Sequence, residues 1–340
     1  MADLRDLLRR PVVAAPMAGG ASGPDLVAAV AEAGGLGFLA AGYKTAEDVR
    51  AEIGRARRAT PAFGVNVFVP PPQDTPVDAA AVAAYRDRLT PEADRLGVAL
   101  GEPVGGDDGW DAKLAVLLAD PVPVVSFTFG LPSREVIDAL RERGSLVVAT
   151  VTSPAEARLA SAVADALCVQ GAEAGAHRGS FVDDDSPASP ALPLRELLPA
   201  VRRVTDLPLI AAGGLATAAD VAGVLAAGAV AAQLGTAFLR APESGTPAPH
   251  RAALADPRFT ATAVTRAFSG RSARGLVNRF MSEHGPHAPA AYPHVHQITT
   301  PLRRAAAARN DPDTMALWAG TGFRQATADP AGEIVARLAP

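Results

Sequence analysis

Eight short apolar runs, alternating with longer amphipathic stretches, restrict the fold of this chain more than any other feature. The runs fall at residues 12–15, 36–40, 63–68, 122–127, 146–151, 166–169, 208–211 and 230–234. Each is short and almost continuously apolar, as a strand buried on both faces must be. Helical stretches lie between them at 24–33, 46–57 and 133–143, and another opens at Pro154, where the missing N–H of proline costs nothing. Eight such units predict the α/β class and a closed (β/α)₈ TIM barrel rather than an open sheet.

The spacing is uneven. Residues 70–110, rich in Pro, Gly and acids, read as an insertion after the third strand. Residues 241–300 follow the eighth strand without clear strand alternation and read as a smaller cap or substrate domain. The expected layout is a barrel of 1–240 plus 301–340, with the cap at 241–300.

Composition excludes several classes. At 49% hydrophobic over 340 residues the chain can build its core without staples. A single cysteine, Cys168, allows no intrachain disulfide and no cysteine metal cluster. The net charge is −4 with basic residues scattered, so no nucleic-acid partner is expected. The longest apolar runs contain glycine and fall short of the roughly 20 residues of a membrane span. Residues 1–10 alternate acids and arginines and do not read as a signal peptide, so a cytoplasmic location is expected. The histidines at 284, 287, 294 and 296 lack matched carboxylate spacing, and no metal is expected.

Barrel chemistry sits at the C-terminal ends of the strands. The seventh run ends in Ala211-Ala212-Gly213-Gly214 and opens a helix; the eighth ends in Gln233-Leu234-Gly235-Thr236. Tight turns on these two neighbouring strands, with a helix start, read as a phosphate site. The sixth run ends in Gln170, whose amide both donates and accepts, as the pyrimidine edge of a flavin would require. His177, in the glycine-rich loop that follows, is either a general base or a structurally bonded loop histidine. Asn66, in the otherwise apolar third run, must find a partner: either backbone or a cofactor ring. Met17, beside Gly19-Gly20, reads equally as a cofactor neighbour or core filler. No Walker sequence, nucleophile elbow or dinucleotide fingerprint is present.

Taken in order, Ala15-Pro16-Met17-Ala18-Gly19-Gly20, Gly64-Val65-Asn66-Val67-Phe68, residues 170–179, Ala211-Ala212-Gly213-Gly214 and Gln233-Leu234-Gly235-Thr236 resemble the nitronate monooxygenase family, formerly called 2-nitropropane dioxygenases. The likeness continues through residues 269–275 and Leu317-Trp318-Ala319-Gly320, and so spans nearly the whole chain. It implies an FMN-bearing barrel with a smaller substrate domain. Flavin contacts would come from Met17 (backbone), Asn66, Gln170, Gly175, Gly214 and Gln233 to Thr236, with His177 as the catalytic histidine. The implied reaction takes an alkyl nitronate, of the propionate 3-nitronate type, and O₂ to a carbonyl compound and nitrite or nitrate. The small-molecule substrate and O₂ would be the only partners of a monomer or homodimer.

The chain also departs from the family pattern. Ala176 stands where a glycine is usual before the histidine, and Thr128 where a histidine is usual. After Tyr292, His296 replaces a tyrosine and Thr300 a lysine, and Thr321 replaces a glutamine. Thr128, Tyr292, His296 and Thr300 are therefore the expected substrate-pocket residues. Two alternatives stay open: an FMN-dependent NAD(P)H reductase of a quinone or enoyl substrate, and a flavin-binding protein without chemistry.

Overall fold

The computed structural model describes residues 4–72, 75–183 and 191–340. All eight expected runs are strands, with ends shifted by at most two residues. They are β1 (Val12–Ala14), β2 (Leu36–Ala40), β3 (Phe63–Phe68), β4 (Val124–Thr128), β5 (Leu146–Val151), β6 (Ala166–Gln170), β8 (Leu209–Ala212) and β9 (Ala231–Leu234). The pair β7 (Ala176–His177) lies apart from them. The eight pair in parallel in the order β1-β2-β3-β4-β5-β6-β8-β9, and Val13 opposite Gln233 closes the ring. The structure is the expected closed barrel.

Alternation along these strands explains where a site can form. Val13, Phe38, Val124, Val148, Cys168 and Ile210 fill the barrel interior as one apolar cluster. Phe38 takes so much of that space that a Cβ on Gly64 would lie 2.2 Å from its ring. Moving two residues on keeps the same face of a strand. From Gly64, Val124, Val148, Cys168 and Ala231 that step reaches Asn66, Ser126, Thr150, Gln170 and Gln233. The barrel is thus apolar at its floor and polar at its C-terminal mouth.

The outer layer comprises α1 (Pro24–Glu32), α2 (Ala46–Ala59), α5 (Trp110–Ala119), α6 (Arg134–Glu142), α7 (Pro154–Ser161), α8 (Leu194–Arg202) and α9 (Ala218–Ala226). The last helix, α13 (Ala331–Leu338), packs between α1 and α9 and completes the ring. The segment read as an insertion carries α3 (Ala79–Arg88) and α4 (Thr90–Leu96). The stretch after β9 carries α10 (Ala248–Ala255), β10 (Thr262–Thr265), β11 (Ala273–Leu276), α11 (Arg279–His284) and the first part of α12 (His294–Ala308). Strand alternation is not visible there because β10 and β11 are four residues each and form a small antiparallel sheet with the two-residue β7. A separate apolar cluster joins Val82, Tyr85, Leu89 and Leu96 to Phe268, Phe280, Val295, Ile298 and Leu302. Residues 70–110 and 241–300 thus share one core, and α12 runs through the expected cut at 300/301. No helix among the described residues is long and apolar enough to cross a membrane.

Candidate active site

The two glycine turns expected to hold a phosphate are built by steric necessity. Gly213 and Gly214 have φ of 113° and 72°, a region closed to most side chains. A Cβ on Gly214 would lie 2.8 Å from that of Glu173, and one on Gly175 would lie 2.5 Å from the backbone of Ala319 and Gly320. Three backbone segments therefore press together: the loop after β6, the turn after β8 and residues 319–322. Thr236 Oγ1 accepts from Gly320 N–H at 2.9 Å and ties in the turn after β9. The helix start itself is not free as expected, because the Asp220 carboxylate accepts from Ala216 and Thr217 N–H at 3.0 and 2.8 Å. The N–H groups of Gly214, Leu215 and Thr236 reach no protein acceptor among the described residues and are among the donors open to an anion.

The ring-binding candidates line the polar mouth. Asn66 is buried, and its amide nitrogen donates to Ser126 Oγ at 2.9 Å and Thr128 Oγ1 at 3.0 Å. Its donors are consumed, so it presents an acceptor. Gln170 donates to the His177 carbonyl at 3.1 Å and accepts from Gly179 N–H at 2.7 Å, clamping the loop that carries the histidine. Gln233 donates to Cys168 Sγ at 3.3 Å, and burial pushes that thiol up to about 12. Leu234 is buried in the outer layer's core. The backbone N–H of Met17 is taken by Ser22 Oγ at 2.9 Å, while its thioether lies beside Gly235.

His177 lies on β7, half-buried, with Phe129, Tyr292 and Trp318 ring centroids 5.7–5.8 Å away. Its Nε2 is 2.9 Å from Ser269 Oγ. That hydroxyl has one proton, and the Arg271 carbonyl, 3.1 Å away, can only accept it. The arrangement assigns the ring proton to Nε2, which donates to Ser269, and leaves the lone pair on Nδ1. Burial first, and then the charges of Arg271 and Arg303, push His177 down to about 3.

Arg271 and Arg303 also bear on this histidine; the first stands inside the 269–275 segment and the second three residues beyond Thr300. The buried Arg271 guanidinium stacks 3.9 Å over Phe129 and donates to the Ser180 carbonyl. Among the described residues no carboxylate forms an ion pair with either arginine. Burial lowers Arg271 and brings Arg303 down to about 10. His296 stacks on Tyr43 at 4.0 Å, and Phe68 packs against Phe129 at 4.6 Å. Tyr43, Phe129 and Ala176 hold left-handed backbone at φ 66°, 80° and 61°, so strain concentrates around this chamber. Of the expected pocket residues, Tyr292 and His296 join this cage. Thr128 lies deeper, against Asn66, and Thr300 bonds to the His296 carbonyl at 2.7 Å.

Tyr43, Phe68, Tyr292 and His296 also wall a cavity of about 410 Å³ that extends toward Pro70, Gly105, Asp107 and Arg304. Of the cap histidines considered as ligands, His284 meets Glu92 and Glu283. Arg95 and Arg279 already occupy the Glu92 carboxylate, which makes this an ion-pair network.

A protein-family model described as Nitronate monooxygenase matches residues 2–340. A probable nitronate monooxygenase of Staphylococcus aureus (strain MSSA476) is 37% identical over 337 residues, covering 96% of this chain and 93% of its own. Among solved structures, nitroalkane oxidase from Streptomyces ansochromogenes superposes with a TM-score of 0.95 at 56% identity, covering 99% of this chain and 96% of that one. FabK from Thermotoga maritima follows at TM-score 0.73 and 26% identity, with 98% and 94% covered. The resemblance drawn from the ordered motifs is borne out over the full chain.

Proposed function

The chain belongs to the nitronate monooxygenase family, whose members are flavin oxidoreductases, and from that premise we propose that it binds FMN and oxidises small alkyl nitronates with O₂. The observation that carries the reading is the charge of the chamber. Two guanidiniums, neither ion-paired to a carboxylate among the described residues, act on a histidine held neutral, and a buried cation such as Arg271 calls for an anionic guest. A nitronate is such an anion.

FMN fits the residues present. The glycine cradle at Gly213, Gly214, Gly235 and Thr236 suits a single terminal phosphate. Asn66 offers an acceptor, Gln170 and Gln233 offer amides, and Gly175 keeps the β6 loop close to the cradle. When bound, the flavin supplies the electron acceptor that these side chains lack. The protein's part is to gather and orient. The positive field favours the anion, while Phe129, Tyr292 and Trp318 exclude water around His177. With its proton on Nε2, His177 offers Nδ1 as a base when a neutral nitroalkane must lose a carbon-bound proton. Two nitronates and one O₂ balance to two carbonyl compounds and two nitrites; one nitronate and one O₂ balance to a carbonyl compound and nitrate.

Oxygen consumption by the flavin-loaded protein with propionate 3-nitronate tests the proposal. Turnover with release of nitrite or nitrate is expected, and flavin-loaded protein inert toward every nitronate would refute it. The 410 Å³ cavity beside the aromatic cage favours one second reading, a reductase that admits a nicotinamide ring there. Rapid anaerobic bleaching of the flavin by NADPH would select it.

A further inference from the structure

One face of α12 carries His296, Thr299, Thr300 and Arg303, spaced as helix neighbours. Arg303 binds all three. Its Nε donates to Thr299 Oγ1 at 3.1 Å, and its Nη2 reaches Thr300 Oγ1 at 2.8 Å and both Nδ1 and the carbonyl of His296 at 3.1 Å. A guanidinium only donates, so His296 Nδ1 must be the unprotonated nitrogen and the ring is neutral with its proton on Nε2. The stack on Tyr43 fixes the ring plane. His296 and Thr300 are the two positions at which this helix departs from the family pattern, and both serve as acceptors for the same arginine.

The bracket leaves Arg303 incomplete. Nη1, with two N–H groups, makes no hydrogen bond among the described residues, and no carboxylate pairs with the guanidinium. The group is half-buried, so it is held rigidly yet remains reachable. It is bonded to His296, whose ring stacks on Tyr43 at 4.0 Å and meets Tyr292 at 6.4 Å, which puts it behind the aromatic wall of the proposed chamber. A lysine at 300 would set a second cation against it; threonine accepts from it instead.

We propose that Arg303, bracketed by His296 and Thr300, is the specificity-determining residue of this site and seats a planar oxyanion of the substrate on its free Nη1 edge. The matching chemistry is a carboxylate or a nitronate, each an oxyanion able to accept a charge-assisted N–H donor. Assigning that oxyanion to a substrate rests on the nitronate reading above, whereas the seat itself does not.

Calorimetric titration with propionate, which is not oxidised, therefore reads the seat without turnover. Arg303→Met is expected to weaken propionate binding by about ten- to a hundredfold, the range for losing a hydrogen bond to a charged group. Thr300→Val, which keeps shape and removes one bracket bond, is expected to weaken it about threefold. Steady-state KM then separates the two sources. If Arg303 holds a carboxylate, Arg303→Met raises KM for propionate 3-nitronate and spares propyl-1-nitronate; if it holds the nitronate group, both rise. Native-like propionate binding and native KM for both nitronates in folded Arg303→Met would overturn the proposal. Should that variant fail to fold, Arg303→Lys and Thr300→Val decide on the same readouts. Loss of propionate binding in a protein inert toward nitronates would uphold the seat while rejecting the reaction.

Discussion

Changing pH during turnover probes the electrostatics of the chamber directly. An ordinary histidine titrates near 6.5, but His177 is pushed down to about 3, by burial above all and then by Arg271 and Arg303. At 1.36 kcal/mol per tenfold change, the environment disfavours the imidazolium by on the order of 5 kcal/mol. Near pH 6 roughly one molecule in a thousand would carry the protonated ring. The base form is thus present throughout the range in which most enzymes are assayed. With a preformed nitronate, kcat/KM is expected to be flat from about pH 5 to about pH 8 as far as His177 is concerned. With the neutral nitroalkane, His177→Asn should slow proton removal by about 10²- to 10⁴-fold, while the preformed nitronate is little affected. Arg303→Met removes the weaker of two cations and should raise the inflection while leaving it below 6.5, because burial is the larger cause. Stopped-flow or oxygen-electrode rates across the pH range check this. An inflection near pH 6.5 in the native enzyme, abolished by His177→Asn, would refute it, since the imidazole would then be titrating as if in water and clear of Arg271 and Arg303.

Stability carries the same signature. His177, His250 and His296 are held neutral by burial, at about 3, 4 and 2, so the unfolded chain binds more protons below its ordinary 6.5. Their contribution is complete above about pH 6.5 and is lost as pH falls toward about 4 for His250, 3 for His177 and 2 for His296, by roughly 2 kcal/mol per histidine at pH 5, and the urea midpoint should drop accordingly. Gly175→Ala puts a Cβ 2.5 Å from backbone at Ala319 and Gly320, where no side chain can give way; a loss of about 1–3 kcal/mol and reduced flavin retention on gel filtration are expected. Gly223→Ala in α9 meets nothing within 4 Å and should stabilise by up to about 1 kcal/mol by thermal unfolding. Ala176→Gly relieves a left-handed alanine at φ 61°, and an unfolding midpoint that fell rather than rose would count against strain at this loop.

The barrel was legible because its signal is local. A strand buried on both faces must be apolar along its length, and eight such runs suffice to identify the closed sheet. The glycine turns were legible for a similar reason, since left-handed backbone at Gly213 and Gly214 leaves few alternatives to glycine. The small sheet of β7, β10 and β11 was not legible, because strands of two to four residues carry too few positions for a period. Residues 70–110 read as an insertion because alanine suits either face of a helix, which hid α3 and α4 and the core they share with α12. The free helix start expected after β8 was wrong in detail, because Asp220 caps it.

Sequence alone therefore determined the architecture and the paired glycine turns after β8 and β9, each of which depends on residues close together in the chain. The charge of the chamber was decided only by tertiary structure. Arg271 and Arg303 stand 94 and 126 residues beyond His177, and nothing in their spacing shows that the charges of both act on its ring. Electrostatic energy depends on distance through the folded interior and on the water that folding removes. The sequence specifies neither until the chain has closed on itself.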